Sequence, residues 1–305
     1  MRALVHDPDA PEGLRLGEAP DPGPGPAEVL VEVATTSLNF ADVAFLRERT
    51  SPGEVAGFDA AGTVVAAAAD GSGPPVGARV ATFGWSGAWA QRRPVDTGEL
   101  AVLPEVVEFA AAAALPVAGV TALRALRRLG SIVGRRVLIT GASGGVGRFA
   151  VQLAARAGAH VVAAVGSHNR GEGLAELGAA EIVVGLDAVA EPVHGALDNV
   201  GGQVLADVHA LLRPGGCVLS IGMASLEPTT IDFEAARIRA GGTRIEAFTV
   251  GPGFAADLPY LVSLLEAGEL DPQIGWRGSW DRASEAAAAL RGRRVRGKAV
   301  LEVTP

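Results

Sequence analysis

The apolar positions of this chain change their period part-way along it. Up to about residue 107 they come in short runs broken by glycine and proline. Arg2 to Val5 and Leu14 to Leu16 predict two strands around a turn at Asp7-Pro-Asp9. Glu28-Val-Leu-Val-Glu-Val-Ala34 alternates apolar with polar residues, the mark of a half-buried strand. Further strands are predicted over Gly57–Val65, Val76–Phe83, Ala88–Gln91 and Leu100–Leu103, with a short helical pattern from Ser37-Leu-Asn-Phe-Ala-Asp42 to Leu46. From Glu108 the period lengthens. Phe109–Leu115 and Ala118–Leu129 predict helices on either side of Pro116.

Beyond Arg136 apolar runs alternate with helical stretches, which predicts βαβ units and a parallel sheet. The strands are Val137–Thr140, His160–Val165, Ile182–Val184, Gly195–Val200, Cys217–Ile221 and Arg244–Val250. The helices are Gly145–Ala157, Arg170–Leu177, Gln203–Leu212 and Phe233–Ala240. Phe254–Ala267 and Asp281–Arg291 predict two more helices, and Lys298–Val303 a last strand. The expected fold class is α/β: a β-rich domain joined to a doubly wound parallel sheet.

One stretch within this pattern carries chemistry. Val137-Leu-Ile-Thr-Gly-Ala-Ser-Gly-Gly-Val-Gly147 is a strand, a glycine turn and the start of a helix. That is the order of a dinucleotide site, here with Ala142 where the first glycine of G-x-G-x-x-G usually stands. Gly144 lets the backbone approach a pyrophosphate, and Gly147 lets the helix pack on the strand. Ser143, Gly145 and Val146 complete the turn, whose N–H groups and helix dipole favour phosphate.

Composition narrows the function further. The net charge of −8 argues against nucleic acid or an anionic membrane as partner. No apolar run approaches the ~20 residues that span a bilayer, and the first residues are too poor in apolar side chains for a signal peptide. A cytoplasmic protein acting on a small molecule is expected. One cysteine, Cys217, excludes an intramolecular disulfide and a multi-cysteine zinc site.

The motifs Leu38-Asn-Phe-Ala-Asp42, Gly57-Phe-Asp-Ala-Ala-Gly62, Leu115-Pro-Val-Ala-Gly-Val-Thr-Ala122, Leu197-Asp-Asn-Val-Gly-Gly202, Leu212-Arg-Pro-Gly-Gly216 and Gly297-Lys-Ala-Val-Leu301 fall in order along nearly the whole chain. With the glycine turn, they resemble the medium-chain dehydrogenase/reductase superfamily, in its zinc-free quinone oxidoreductase-like and enoyl reductase-like branch. The resemblance implies a GroES-like catalytic domain over residues 1–115 and a Rossmann domain over 116–249. A C-terminal segment, 250–305, would return to the first domain, and homodimers are common in the family. Zinc-dependent relatives place a histidine at the position of Phe58 and a further ligand at that of Ala118, so no metal is expected here. Without a Lewis acid the chemistry moves towards conjugated acceptors.

The cofactor expected is NADPH. A dinucleotide site selective for NAD carries an acid roughly 20 residues beyond the glycines. Gly166 stands there instead, followed by Ser167 and by Arg170, whose fork suits phosphate. The family places a lysine at the Arg170 position, and Arg293 matches a family arginine that reaches the same phosphate. By resemblance, Asn199 and Val200 lie over the nicotinamide side, and Phe248, Thr249 and Val250 flank its carboxamide.

For catalysis, the tyrosine that enoyl reductase-like relatives often place after Asn-Phe-x-Asp is missing. The sole tyrosine, Tyr260, sits on a C-terminal helical pattern. Four candidates remain. Asn39 could donate from its amide, and Thr121 from its hydroxyl. Asp42 could orient Asn39 or cap the following helix. Arg47 could stabilise an enolate or simply be solvated. Trp85 and Trp89 either line an acceptor pocket or pack the β-domain. The leading reading is an NADPH-dependent reductase of quinones or α,β-unsaturated carbonyls. The alternatives are a redox-inactive NADPH-binding protein with a regulatory role, and a specialised biosynthetic reductase of the enoyl reductase type.

Overall fold

The structure is a computed structural model that describes residues 1–239 and 241–304. It divides into two compact units, Met1–Val120 with Gly251–Pro305, and Thr121–Val250. The first unit opens with a hairpin of β1 (Arg2–His6) and β2 (Leu14–Glu18). It continues through β3 (Glu28–Leu38), α1 (Phe40–Ala44), α2 (Leu46–Arg49), β4 (Asp59–Ala66), β5 (Arg79–Phe83), β6 (Arg92–Asp96), β7 (Leu100–Val102) and α3 (Phe109–Ala113). Helix α4 (Pro116–Arg128) starts on Pro116, whose missing N–H costs nothing in the first turn.

The second unit alternates β8 (Arg136–Ile139), α5 (Gly145–Arg156), β9 (His160–Val165), β10 (Glu181–Val184), β11 (Val193–Asp198), α6 (Gly202–Ala210), β12 (Leu212–Ser220), α7 (Phe233–Arg239) and β13 (Arg244–Ala247). Its six strands lie in the order β10-β9-β8-β11-β12-β13, all parallel. This is a doubly wound Rossmann sheet, whose strand order reverses between β8 and β11. The chain then adds α8 (Leu258–Glu266), β14 (Ile274–Ser279), α9 (Ala283–Arg291) and β15 (Lys298–Glu302) to the first unit. There β15 pairs with β3, completing a seven-stranded sheet in the order β14-β15-β3-β4-β5-β7, with β6 also on β3.

The sequence pattern failed where polar side chains are buried with partners. β3 runs four residues past the expected Ala34, through Thr35, Thr36 and Ser37, all buried. A register shift between Val33 and Thr35 breaks the alternation, and Thr36 Oγ1 donates to Asp59 O at 2.6 Å. Ala88–Gln91 is not a strand; Ala90 makes only an isolated bridge to Ala3. The strand is β6, next along, which Arg92, Arg93 and Pro94 disguise as a loop. Its proline is tolerated because β6 pairs with β3 alone. Arg93, 2% exposed, donates to Phe58 O (2.9 Å) and Ser86 O (3.0 Å).

Two helical expectations also change, and a third runs past the described residues. Arg170–Leu177 is not an α-helix but a 3-10 turn over His168–Gly171 followed by turns, with Gly173 at φ +78 and Gly178 at φ +100. Phe254–Ala267 splits into a 3-10 turn (Phe254–Ala256) and α8, which restarts beside Pro259. The expected helix Phe233–Ala240 forms as α7, but Ala240 lies outside the described residues, as does Pro305 of the C-terminal segment. The edge strand β14 carried no signal, because Gly275 and Gly278 interrupt it and its residues are half-buried or exposed.

Gly62 on β4 packs backbone to backbone against β3. A Cβ there would stand 2.0 Å from Glu32 O and 3.0 Å from Val33 Cα. Gly62→Ala is therefore expected to cost about 1–3 kcal/mol or more through overpacking. Gly23→Ala, with nothing within 4 Å of its Cβ, leaves stability unchanged. Urea denaturation midpoints of the two variants check this.

Candidate functional site

In the second unit the glycine turn sits at the C-terminal end of β8. Gly141 adopts φ +57, a conformation open to glycine, and it is the residue that turns the chain. Sequence reading missed it by starting the motif at Ala142. Gly147 is where the helix meets the strand: a Cβ would lie 2.4 Å from Gly141 O and 2.6 Å from Ala142 Cα. At Gly144 a Cβ would meet only Gly141 O, at 3.3 Å, so the outward side of the turn is open. Helix α5 starts on Gly144 with no side-chain cap and no acid in its first turn. Gly145 and Val146 are half-buried there, and their end of the helix is suited to an anion.

Ser143 is buried, and its hydroxyl accepts from Arg170 Nε at 3.0 Å. That contact brings the end of β9 to the glycine turn. Gly166 has nothing within 4 Å of where a Cβ would be. Ser167 Oγ donates to Asn169 Oδ1 at 2.6 Å. Asn199, beyond β11, donates from its backbone N to Thr140 Oγ1 (3.1 Å) and from Nδ2 to Thr140 O (2.8 Å). Val200 follows it. Thr140 in turn donates to Asp198 Oδ1 at 2.6 Å, and Asp198 Oδ2 accepts from Gly201 N at 2.8 Å. Burial pushes the Asp198 carboxyl up. This Thr140–Asp198 pair fixes Asn199 and was invisible in sequence. Phe248 N donates to Ser220 O (2.9 Å), Thr249 is exposed, and Val250 O accepts from Arg124 Nη1 (2.5 Å). The strand ends thus gather these residues on one edge of the sheet. Arg293 belongs to the first unit, exposed after α9 with φ 56.

The first unit buries a polar cluster that sequence reading saw only in part. Asp59, fully buried on β4, is its centre. Its Oδ2 accepts from Asn39 Nδ2 (2.9 Å), Ser37 Oγ (3.2 Å) and Lys298 Nζ (3.3 Å), and its Oδ1 from Val117 N (3.0 Å). Lys298, 2% exposed on β15, also donates to Asn39 Oδ1 at 2.6 Å. Asp42 Oδ2 accepts from Asn39 N (2.8 Å) and Asn39 Nδ2 (3.1 Å), half of a capping box on α1. The motif spacing Asn39-x-x-Asp42 was readable; the arrival of Lys298 from 239 residues beyond Asp59 was not.

These contacts overturn one expectation, for Asn39, and decide between alternatives for Arg47 and the two tryptophans. Asn39 cannot offer its amide to a substrate, since both Nδ2 hydrogens are taken by Asp42 and Asp59. Arg47 is exposed and donates to Pro8 O at 3.2 Å, the solvated alternative. The two tryptophans have opposite fates. Trp89 is fully buried in the core, with Nε1 donating to Ser37 O at 3.2 Å, whereas Trp85 is 55% exposed. Thr121 is buried on α4.

At the positions where zinc-dependent relatives hold metal stand Phe58 and buried Ala118. Among the described residues no group of three or more His, Cys, Asp or Glu is gathered to hold a metal ion. No helix among them is long and apolar enough to cross a membrane.

Residues 25–105 match the alcohol dehydrogenase GroES-like domain, and residues 145–267 match the zinc-binding dehydrogenase family. The probable acrylyl-CoA reductase AcuI of Escherichia coli (strain K12) is 32% identical over 245 residues, 70% of this chain and 73% of that protein. The chain belongs to the medium-chain dehydrogenase/reductase superfamily, in its quinone oxidoreductase-like branch. A quinone oxidoreductase structure from Coxiella burnetii shares this fold with a TM-score of 0.87 and 27% identity, over 100% of this chain and 99% of that one. A mycocerosic acid synthase-like polyketide synthase of Mycobacterium tuberculosis is 32% identical over 75% of this chain, which is 12% of that much longer protein. The chain spans less than two thirds of the first curated relatives that it matches, from 12% to 58% of their length. The first unit is thus the superfamily's GroES-like domain and the second its Rossmann domain.

Within this superfamily member, two buried groups have measurable consequences. Removing Lys298 leaves Asp59 an uncompensated buried charge, so Lys298→Met should destabilise by about 3–5 kcal/mol in thermal or urea unfolding. For Asp42, burial, reinforced by the negative charge of Asp59, pushes the carboxyl from 3.8 up to about 7. A folded value above the unfolded one means stability is fully present below 3.8 and lost as pH rises through about 7. Asp42→Asn removes that loss. Its Tm should gain on the wild type as pH rises through this window and hold a constant lead above it.

Proposed function

We propose that this chain is an NADPH-dependent, zinc-independent reductase whose acceptor is a quinone or an α,β-unsaturated carbonyl compound. The observation that carries the cofactor choice is the Arg170 Nε–Ser143 Oγ contact of 3.0 Å beside an acid-free strand end at Gly166. A guanidinium there would suit a ribose 2′-phosphate, and Gly166 stands where an acid would bind a ribose hydroxyl instead. The cradle fits a dinucleotide: Gly144 and Gly166 are open where a Cβ would obstruct it, and the first turn of α5 is uncapped.

Once bound, the nicotinamide supplies a hydride. Around it, Ser143, Gly144, Gly145, Val146 and Gly147 would hold the pyrophosphate. Ser167 and Arg170 would hold the adenosine ribose phosphate, and Arg293 would add a second cation. Asn199 and Val200 would support the nicotinamide side, with Phe248, Thr249 and Val250 along its carboxamide. Thr121 would supply a hydroxyl towards the acceptor. Asn39 acts as a positioning residue, its amide committed to Asp42 and Asp59.

A second reading is supported by the similarity to an acrylyl-CoA reductase and to a polyketide synthase. It makes the acceptor an enoyl thioester in a biosynthetic step. Initial rates with para-quinones, enones and enoyl thioesters separate the two, and silence with all of them would favour a redox-inactive role. With whichever acceptor works, kcat/KM with NADPH should exceed that with NADH. Arg170→Ala should lower the NADPH value by about ten-fold or more, the worth of one charge-assisted phosphate contact, and leave NADH unchanged. A wild-type ratio at or below one would refute the cofactor assignment.

A further inference from the structure

The tyrosine that enoyl reductase-like relatives often place after Asn-Phe-x-Asp is absent here, yet the first unit holds a buried acid with an unused oxygen. A groove of about 770 Å³ runs over this unit, lined in part by Asp42, Arg49, Thr50, Gly57, Phe58 and Trp85. Its aromatic side is held open. Trp85 is 55% exposed, and its ring meets Phe83 edge-on at 4.9 Å and Phe58 at 5.8 Å between centroids. A flat conjugated molecule would bury that exposed ring in the way aromatic pairs favour. Gly57 turns the chain on this side at φ +92, with no room for a Cβ against the buried Trp89 ring 2.3 Å away.

Asp42 also lines this groove. Its two carboxyl oxygens have different surroundings. Oδ2 accepts both hydrogens that Asn39 sends to it, while Oδ1 is buried with no hydrogen-bond partner. We propose that Asp42 is the acid of this reductase, donating a proton from Oδ1 to the acceptor's carbonyl oxygen while Trp85 and Phe58 hold the acceptor's plane. The proposal rests on the reductase reading above.

The charged neighbours favour a neutral Asp42. Asp59 from β4 raises its affinity for a proton, and Lys298 from β15 opposes this more weakly. Helix α9, packed against α1, turns Ala283, Ala286 and Ala287 inward. Its charged residues Glu285 and Arg291 are exposed and paired with Arg282 and Glu12. Arg49 of α2 lies over the Phe45 ring at 5.2 Å, and the Glu54 carboxylate accepts from Ser51 N. Burial first, and the Asp59 charge after it, push the carboxyl up to about 7, which suits an acid that works near neutral pH. With Oδ2 already accepting two bonds, the proton belongs on Oδ1, a buried donor that lacks an acceptor until a carbonyl arrives.

The step balances. A hydride from the dihydronicotinamide forms a C–H bond at the acceptor's β-carbon, and the negative charge moves to its oxygen. The Asp42 Oδ1–H bond breaks, the acceptor's O–H bond forms, and the resulting enol relaxes to the ketone. Nicotinamide is oxidised, the acceptor is reduced, and Asp42 regains its proton from water.

The test uses the full chain with and without NADPH. Infrared difference spectra of the protein alone should show a protonated carboxyl that titrates near pH 7, present in wild type and missing in Asp42→Asn. A redox-inert phenol should quench tryptophan fluorescence and shift that carboxyl band, and Trp85→Ala should weaken its binding about ten-fold. With an active acceptor, wild-type kcat should fall above about pH 7. Asp42→Asn should lose roughly 100-fold or more in kcat, with a flat profile and little change in KM. Should Asp42→Asn fold poorly, the wild-type band titration and its shift with the phenol decide. An active wild type with kcat and pH limb unchanged in Asp42→Asn overturns this assignment alone. So does a carboxyl already ionised at acid pH, or a band that the phenol leaves unmoved. A wild type inactive with every acceptor overturns the reductase reading, and the assignment with it.

Discussion

The first unit depends on one buried ion pair. Lys298 Nζ and Asp59 Oδ2 are 3.3 Å apart with almost no exposure on either side chain. Two charges out of water are tolerable when further hydrogen bonds support them, and here the surrounding groups supply several. Asn39 bridges the pair, Ser37 donates from β3, and the Val117 amide donates from the first turn of α4. The pair therefore joins the last strand of the chain to β3, β4 and the start of α4. It also fixes Asn39, and through Asn39 the carboxyl of Asp42. Burial and the excess negative charge of this cluster together push the Asp42 carboxyl up.

The second unit rests on a different constraint, the close approach of backbone to backbone at the glycine turn. Gly141 takes the turn and Gly147 lets α5 pack against it, with no space for a methyl group. Thr140, Asp198 and Asn199 then lock the ends of β8 and β11 together where the strand order reverses. Shape does the work at this site, and the Ser143 hydroxyl accepts from Arg170 beside it.

Legibility in the sequence follows from this contrast. The six parallel strands and α5 were readable because apolar runs of the right length alternate with amphipathic ones, and the glycines sit at motif spacing. Elements that bury polar side chains were not. The Thr35–Ser37 extension of β3 and the arginine-rich β6 read as loops, since their partners are backbone groups far along the chain. The same holds for the site. Asn39 and Asp42 were visible as a motif, but the direction of the Asn39 amide was not, because Asp59 and Lys298 reach it only in three dimensions. Trp85 and Trp89 lie four residues apart in one glycine-rich stretch, and nothing local distinguishes the buried ring from the exposed one.

The central claim is that the glycine turn and Arg170 together form a cradle for a 2′-phosphorylated dinucleotide. Equilibrium binding of two small fragments tests it without any chemistry: adenosine 2′,5′-bisphosphate against adenosine 5′-monophosphate, by calorimetry at low salt. The account predicts that the bisphosphate binds about ten-fold or more tightly, the worth of at least one charge-assisted phosphate contact. Equal affinity, or a preference for the monophosphate, would contradict it.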